Sequence, residues 1–349
     1  MSFKRFTLLA LLVLSLVLFG IAETRAEAKR AVGPKKTVAD VKKNVPNKTV
    51  KKAQVKKAQV KKFKPRPVKK RTIQPASNTI RAKAVYCVNL ANNETLMARN
   101  ENLKLPIASL TKLVSAMVAL ENMPLDKKVK VPDHIKSVPK SVVGLKPGDE
   151  LTVNDLLHGM LINSGNDCAE TLACAFPGGK HKFVSALNKK ARQLGSKKSE
   201  FFTPSGLDRK PAGPPDKISE DEIDANASTA KEIANIARIA FQDKTIRSIV
   251  QKKSYVMKSS VVKDGYPIRN TNKLLRDNLP VVGGKTGFTV RAGHCLASQF
   301  SPDKKDLLIV VLGSPNHFND TRLVYRKALK DIIERKRASA PRLESVAKN

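Results

Sequence analysis

The segment A-V-Y-C-V-N-L, residues 84–90, predicts a β-strand because it is rich in β-branched and aromatic side chains. Turn-forming Asn92-Asn93 follows it, and a second short run at residues 95–98 predicts the other strand of a hairpin. Strand patterns return near the carboxyl end, at residues 284–290, 294–300 and 307–312. Two strands, a block of helices and then three strands predict an α/β sandwich whose terminal strands share one sheet.

The residues between these strands repeat their apolar positions at helical spacing. Thr152-Val153-Asn154-Asp155 also resembles a capping box at the start of one helix. The predicted helices cover residues 110–120, 156–162, 167–176, 181–194 and 228–241, and a closing helix covers residues 321–335. Helices are therefore expected to flank the sheet and to build a helical subdomain.

The positive charge of the chain is concentrated near its amino end. The 349 residues hold 66 Lys+Arg against 30 Asp+Glu, a formal net charge of +36, and residues 27–80 alone hold 18 basic and 2 acidic residues. The V-K-K-A-Q repeat in this segment has a period that matches neither helix nor strand, and its paired lysines repel one another. Residues 27–80 therefore predict a disordered, extended Lys-rich linker.

Residues 1–26 predict a secretory signal peptide. Lys4 and Arg5 precede an uncharged apolar run at residues 6–22, and Thr24-Arg25-Ala26 supplies small residues for cleavage. A retained membrane anchor is the alternative, because the run is just long enough to span a bilayer. In either case the remainder is exported, to the periplasm or to the outer face of the cytoplasmic membrane. Export argues against nucleic acid as the partner of the basic linker.

The cysteines and histidines do not show the spacing of metal ligands. No C-x-x-C, H-x-H or H-E-x-x-H occurs among the 4 Cys and 5 His residues, so no metal site and no cofactor are predicted. The cysteines are too few and too widely spaced for a disulfide framework and are expected to be small buried apolar residues. They are Cys87, Cys168, Cys174 and Cys295.

Three short motifs occur in one order along the chain: Ser109-Leu110-Thr111-Lys112, Ser164-Gly165-Asn166 and Lys285-Thr286-Gly287. A serine nucleophile needs a base within hydrogen-bond reach, and residues three apart on a helix share a face. Lys112 is therefore expected beside Ser109. This arrangement is typical of nucleophilic catalysis by an activated serine.

S-x-x-K also occurs at five other places in this lysine-rich chain. The copy at Ser109 opens a strongly apolar helix, in which a lysine can be desolvated and its pKa lowered. The most serious competitor is Ser228-Thr229-Ala230-Lys231, which also starts an amphipathic helix. There the serine is expected to cap the helix instead.

The order and spacing of the three motifs resemble those of the penicillin-recognising serine D,D-peptidases. The likeness extends over residues 84–336 and includes P-I-A-S-L-T-K-L at 106–113, F-T-P-S-G-L at 202–207 and G-K-T-G-F-T at 284–289. The chain resembles the low-molecular-mass penicillin-binding proteins of the D-alanyl-D-alanine carboxypeptidase family. The run R-N-T-N-K-L-L at 269–275 is similar to the single-domain endopeptidase branch.

This resemblance implies a β-lactamase/transpeptidase-like α/β fold, in which the N- and C-terminal strands form an antiparallel sheet flanked by helices and accompanied by a helical subdomain. It places the catalytic domain at residues 81–336 and a C-terminal tail at residues 337–349. It implies a hydrolase that acts on peptidoglycan stem peptides and is inhibited covalently by β-lactams. It also implies the catalytic roles: Ser109 as the acylated nucleophile, Lys112 as its general base and Ser164 as a proton relay to the leaving amine.

The resemblance implies the substrate-binding residues as well. Asn166 would hold a substrate amide and orient Lys112, Lys285 would supply positive potential, and Thr286 would grip the terminal carboxylate. Arg322 would lie near that carboxylate, or else be an ordinary arginine on the surface of a helix.

The oxyanion hole implied by the same resemblance uses two backbone N–H groups. They belong to Ser109 and to Phe288, the residue that follows Gly287 in the substrate-binding strand.

The chain departs from the carboxypeptidase pattern at Asn270-Thr271-Asn272, where an arginine usually stands between the two asparagines. The missing cation puts strict carboxypeptidase action in doubt and favours cleavage of an internal D,D cross-link. A class A-like β-lactamase is the alternative within the fold. It would need a glutamate in an E-x-x-L-N setting, and none occurs between Asn166 and Lys285.

A function from another class would place the activity in the basic segment rather than in the three motifs. The protein would then be a basic envelope-binding module. For residues 27–80 two interpretations stay open: a solvated spacer, or a spacer that also binds anionic envelope polymers or lipids.

Overall fold

The computed structural model describes residues 78–209, 224–302 and 306–339, with side chains described as far as Arg335. The predicted signal peptide, almost all of the predicted linker and residues 340–349 lie outside the described residues. Within the described ranges, no helix has both the length and the apolar character needed to cross a membrane.

The strands of the described residues are β1 (Ala84–Asn89), β2 (Glu94–Arg99), β3 (Leu105–Pro106), β4 (Lys128–Lys130), β5 (Glu150–Thr152), β6 (Ala227–Ser228), β7 (Ser254–Met257), β8 (Tyr266–Arg269), β9 (Val281–Thr289), β10 (Gly293–Phe300) and β11 (Leu307–Ser314). The α-helices are α1 (Thr111–Asn122), α2 (Val153–Ile162), α3 (Asn166–Ala175), α4 (Gly179–Gln193), α5 (Ala230–Gln242), α6 (Lys244–Val250) and α7 (His317–Ser339).

Five of these strands form the central sheet, in the order β2-β1-β11-β10-β9. Every neighbouring pair is antiparallel, and β1 joins β11 with Ala84 opposite Leu312 and Asn89 opposite Leu307. The prediction that the amino- and carboxyl-terminal strands share one antiparallel sheet is confirmed. The remaining strands form three small pairs: β3 with β6, β4 with β5 and β7 with β8.

The central sheet is buried on both faces, which explains the nearly continuous apolar run of β1. Ala84 and Tyr86 belong to the apolar core that contains α1 and α5, whereas Val85 and Cys87 belong to a second core. That second core contains residues of α7 such as Val324. Because alternate side chains of a strand point to opposite faces, each face needs its own layer of helices.

The central helix is α1, which is buried at every position from Thr111 to Ala119. A helix that is apolar on all sides must be surrounded by the rest of the protein. A 3-10 turn at Ala108–Leu110 leads directly into it. The start of α1 therefore lies against the sheet edge at β9.

Two helix starts test the predictions made from capping residues. Thr152 does cap α2, because its Oγ1 accepts a hydrogen bond of 3.0 Å from the Asp155 N–H. The prediction for Ser228 is wrong: Thr229 caps α5, and Ser228 lies in β6. The Ser228 hydroxyl is buried and pairs with Ser199 Oγ at 2.7 Å, so a neighbouring serine satisfies it.

Candidate active site

Ser109 lies in the 3-10 turn at the start of α1 and opens into a cleft of about 800 Å³. The preceding residue, Ala108, has a φ of +47°, in the left-handed region that residues other than glycine rarely adopt. Backbone strain of this kind persists only where the surrounding structure enforces it. The strained turn presents the Ser109 side chain to the cleft.

Lys112 lies one turn further along and is fully buried. Its Nζ is 2.7 Å from Ser109 Oγ, 2.8 Å from Asn166 Oδ1 and 2.7 Å from the Ser205 carbonyl oxygen. The Asn166 and Ser205 oxygens can only accept hydrogen bonds. A neutral amine therefore donates its two hydrogens to these oxygens and directs its lone pair at the Ser109 hydroxyl.

The environment of Lys112 favours that neutral form. Burial lowers the pKa of Lys112 well below its ordinary value, and the positive charge of Lys285 lowers it further. A lysine whose amine is neutral at physiological pH can accept a proton from a neighbouring hydroxyl. The geometry and the electrostatics of this pair therefore both favour a neutral Lys112 amine whose lone pair faces Ser109.

Lys285 and Ser164 form a second buried pair beside the first. Lys285 projects from β9, and its Nζ donates hydrogen bonds of 2.8 Å to Ser164 Oγ and to the Thr286 carbonyl oxygen. Burial lowers the pKa of Lys285 to about 7. Ser164, in the turn between α2 and α3, has a φ of +60° that aims its hydroxyl towards Lys285.

Asn166 is the first residue of α3 and is held at both ends of its amide. Its Nδ2 donates to the carbonyl oxygens of Pro139 at 3.0 Å and Lys140 at 2.8 Å. These contacts determine the orientation of the amide, so that Oδ1 faces the amine of Lys112.

The edge strand β9 lies directly against the turn that carries Ser109. A Cβ at Gly287 would lie 2.9 Å from the Ile107 carbonyl oxygen and 3.1 Å from the Ser109 nitrogen, so only glycine allows this approach. Thr286 Oγ1 lies 2.6 Å from Thr271 Oγ1. Phe288 is half-exposed at the mouth of the cleft, and its ring packs on His294.

The structure brings eight of the nine predicted site residues together. Six line the cleft: Ser109, Ser164, Asn166, Thr286, Gly287 and Phe288. Lys112 and Lys285 lie immediately behind Ser109 and Ser164. Arg322 is the exception, because it is not among the residues that line the cleft. Its guanidinium instead pairs with Asp277, with Nε 2.9 Å from the carboxylate.

A loop around residues 202–207 completes the site, although it belongs to none of the three motifs. Gly206, with a φ of +83°, packs so closely that a Cβ there would lie 2.0 Å from the Ala108 carbonyl oxygen. Asn226 anchors this loop: its Oδ1 accepts from the Phe202 and Thr203 N–H groups, and its Nδ2 donates to Thr111 Oγ1. The only signal in the sequence was the quoted run F-T-P-S-G-L.

A possible metal cluster lies away from the cleft. His134, Glu170 and Cys174 place one ligand atom each within 4.8 Å of one another. However, Lys180 Nζ already donates a 2.7 Å hydrogen bond to the Glu170 carboxylate and neutralises its charge. Of the cysteines, Cys174 is partly exposed and the other three are buried, and all four are free thiols.

Comparison with known proteins shows which proteins this chain is similar to. The family profile described as D-alanyl-D-alanine carboxypeptidase, peptidase S11, matches residues 69–316. The chain is 32% identical over 247 residues to the D-alanyl-D-alanine endopeptidase of Escherichia coli, covering 69% of this chain and 75% of that protein. It is 28% identical over 238 residues to the D-alanyl-D-alanine carboxypeptidase DacF of Bacillus subtilis, covering 67% of this chain and 57% of that protein.

A solved structure shows the same fold. The crystal structure of a D-alanyl-D-alanine carboxypeptidase from Mycobacterium tuberculosis superposes with a TM-score of 0.64 at 29% identity. The superposition covers 72% of this chain and 91% of that chain. The likeness therefore extends over the sheet and the helices that position the cleft.

Replacing Lys285 with Met should stabilise the protein most at low pH. The folded chain holds Lys285 with a pKa of about 7 against an ordinary 10.5, so the unfolded chain binds an extra proton between these values. The resulting loss in the free energy of unfolding of the wild type is fully present below pH 7 and disappears as the pH rises towards 10.5. We expect the advantage of Lys285→Met in the free energy of unfolding to shrink by about 3 kcal/mol between pH 6.5 and 9.5.

Urea denaturation at the two pH values measures this change. The control is Lys263→Met, which removes an exposed lysine outside the cleft and should show no such pH dependence. An advantage of Lys285→Met that stays constant with pH would mean that Lys285 keeps its ordinary pKa.

Proposed function

The chain belongs to the D-alanyl-D-alanine carboxypeptidase family, peptidase S11, and is therefore a serine hydrolase of the D,D-peptidase type; we propose that it cleaves peptidoglycan stem peptides through an acyl-enzyme on Ser109. The observation that carries the proposal is the environment of Lys112. Two oxygens that can only accept hydrogen bonds occupy both hydrogens of its neutral amine, so its lone pair faces the Ser109 hydroxyl.

Acylation begins with transfer of the Ser109 proton to Lys112 Nζ. The Ser109 oxygen then attacks the carbonyl carbon of the D-alanine on the acyl side of the scissile bond, and a C–O bond forms as the carbonyl oxygen takes up negative charge. The backbone N–H groups of Ser109 and Phe288 stabilise this oxyanion. The close approach of β9 at Gly287 supports the placement of these two groups.

Collapse of the tetrahedral intermediate breaks the C–N bond and releases an amine. Ser164 donates its hydroxyl proton to this amine and receives in turn the proton that Lys112 took from Ser109, so that Lys112 is neutral again. Lys285, whose Nζ donates a hydrogen bond to Ser164 Oγ, positions the hydroxyl for this relay. Water then hydrolyses the ester in the same geometry, with Lys112 as the base. Asn166 keeps the amine of Lys112 oriented throughout the cycle.

The preferred bond is an internal D,D cross-link, which makes the enzyme a D,D-endopeptidase. Thr271 stands beside Thr286 where the carboxypeptidase pattern has a cation, and the relative from E. coli is named an endopeptidase. D-alanyl-D-alanine carboxypeptidase activity is the second candidate, and the name of the B. subtilis relative favours it.

The enzyme is exported, as residues 1–26 indicate, and residues 27–80 concentrate it on anionic envelope polymers or lipids. Except for residues 78–80, these segments lie outside the described residues. The proposal depends on the 18 basic and 2 acidic residues of residues 27–80, called the arm below.

A β-lactamase would need a glutamate in the cleft, whereas the acidic residue among the described residues that line the cleft is Asp208. The lack of an E-x-x-L-N glutamate argues against rapid release of a β-lactam acyl group, and so against a β-lactamase.

Fluorescent penicillin should label the wild-type protein, and Ser109→Ala should reduce labelling at least 100-fold because it removes the nucleophile. Gel fluorescence after mixing measures this, and nitrocefin turnover should stay below about one per minute. Ser228→Ala is the matched control and should label normally. Labelling that depends on Ser228 but not on Ser109 would refute the assigned nucleophile, and rapid nitrocefin turnover would support the β-lactamase.

Digestion of purified sacculi should convert cross-linked muropeptide dimers to monomers without removing terminal D-alanine. Mass spectrometry of the released muropeptides distinguishes these products. Ser109→Ala, treated in parallel, should leave the dimers intact. Monomers that lose a terminal D-alanine while dimers persist would instead establish the carboxypeptidase.

The arm should bind anionic envelope material electrostatically, so binding should weaken as salt shortens the Debye length from about 30 Å at 0.01 M to about 8 Å at 0.15 M. Sedimentation with purified sacculi or anionic vesicles measures it. The Ser109→Ala background prevents digestion, and a variant lacking residues 27–77 is compared with the full chain. Equal sedimentation of both proteins at low salt would make the arm a spacer only.

A further inference from the structure

We propose that Lys273 supplies the positive charge that binds the carboxylate of the substrate, a role for which sequence comparison suggested Arg322. The inference rests on the proposed function of the cleft, since it identifies a substrate-binding residue for that same reaction. A substrate carboxylate bound by Thr286 needs a cation beside it.

The two expected positions for such a cation do not supply one. Thr271 takes the place of an arginine, and its hydroxyl contributes a hydrogen bond of 2.6 Å to Thr286 but no charge. Arg322 is held by Asp277, with Nε 2.9 Å from the carboxylate, and does not line the cleft. The positive charge of Arg322 is thus already neutralised by a neighbouring acid.

Lys273 lies two residues beyond Thr271, at the start of the 3-10 turn Lys273–Arg276. The turn is positioned by Asn272, which is fully buried and whose Oδ1 accepts a hydrogen bond of 3.2 Å from the Leu274 N–H. The side chain of Lys273 is exposed and lines the cleft. No acidic side chain of the described residues pairs with its ammonium group, which leaves its charge available to a ligand.

The imidazoles at this end of the cleft do not provide charge. His294 and His317 stack with their ring centroids 4.9 Å apart, and burial lowers the pKa of both. The pKa of His317 falls to about 3, with contributions from His294 and from the positive charge of Lys273. Lys273 is therefore close enough to act electrostatically on the imidazole of His317.

The other cations of the cleft have different surroundings. Burial raises the pKa of the Asp208 carboxyl, and the positive charge of Arg291 opposes that rise, so Arg291 lies close to an acidic group. Lys140 also lines the cleft, and its backbone carbonyl oxygen accepts a hydrogen bond from Asn166 on the side of the cleft next to Lys112. Lys285 is buried against Ser164. Lys273 lies two residues from Thr271, whose hydroxyl contacts Thr286, and lines the same cleft as both threonines.

The carboxylate preference of acylation tests this role directly. The probes are benzylpenicillin, which carries a carboxylate, and its methyl ester, which does not. The ratio of their second-order acylation rate constants measures the contribution of charge recognition, whichever peptide bond the enzyme cleaves. We expect Lys273→Gln to reduce this ratio about tenfold and Lys273→Arg to retain most of it.

Lys263→Gln is the matched control, because it removes an exposed lysine outside the cleft and should leave the ratio unchanged. Thermal unfolding of each variant checks that the fold is intact. An unchanged ratio in Lys273→Gln, or a ratio that collapses in Arg322→Gln instead, would overturn the proposal. If benzylpenicillin fails to acylate the wild type at all, the proposed function fails, and that result is distinct from failure of the role of Lys273.

Discussion

The hydrogen bonds of the buried Lys112 amine are the interactions on which the candidate active site depends. Three segments that are distant in sequence meet at this one nitrogen: the start of α1 with Ser109, the start of α3 with Asn166, and the loop that contributes the Ser205 carbonyl. Burying an ionisable group is costly unless its hydrogen-bonding capacity is satisfied. The three contacts meet that requirement, and at the same time they direct the lone pair of the Lys112 amine towards the Ser109 hydroxyl.

A second lysine, Lys285, adds an electrostatic effect to these hydrogen bonds. Lys285 lies on an edge strand of the sheet and is separated from Ser164 by 121 residues, yet the two side chains are in hydrogen-bond contact. Its charge disfavours the protonated form of Lys112, while burial lowers the pKa of both amines. Two buried amines next to each other cost stability, and such costs are typical of sites arranged for proton transfer.

Much of this could be predicted from the sequence where the causes are local. Ser109 and Lys112 are three residues apart on a helix, so their contact follows from helical geometry. The failure at Ser228 is also informative, because the next residue, Thr229, is an equally suitable cap and local propensity cannot choose between them. Ser199, which binds the Ser228 hydroxyl, is 29 residues away and reaches it only in the folded chain.

The sequence by itself determined the chemical groups, their order and the contact between Ser109 and Lys112, because helical spacing acts over a few residues. The order of strands and helices also predicted that the terminal strands share a sheet. The tertiary structure decided which charged groups line the cleft. Arg322 and Asp277 are 45 residues apart, and only their meeting in the fold removes that arginine from the cleft. The same applies to the lowered pKa of Lys112, because desolvation depends on how the core packs and not on the neighbouring residues in the sequence.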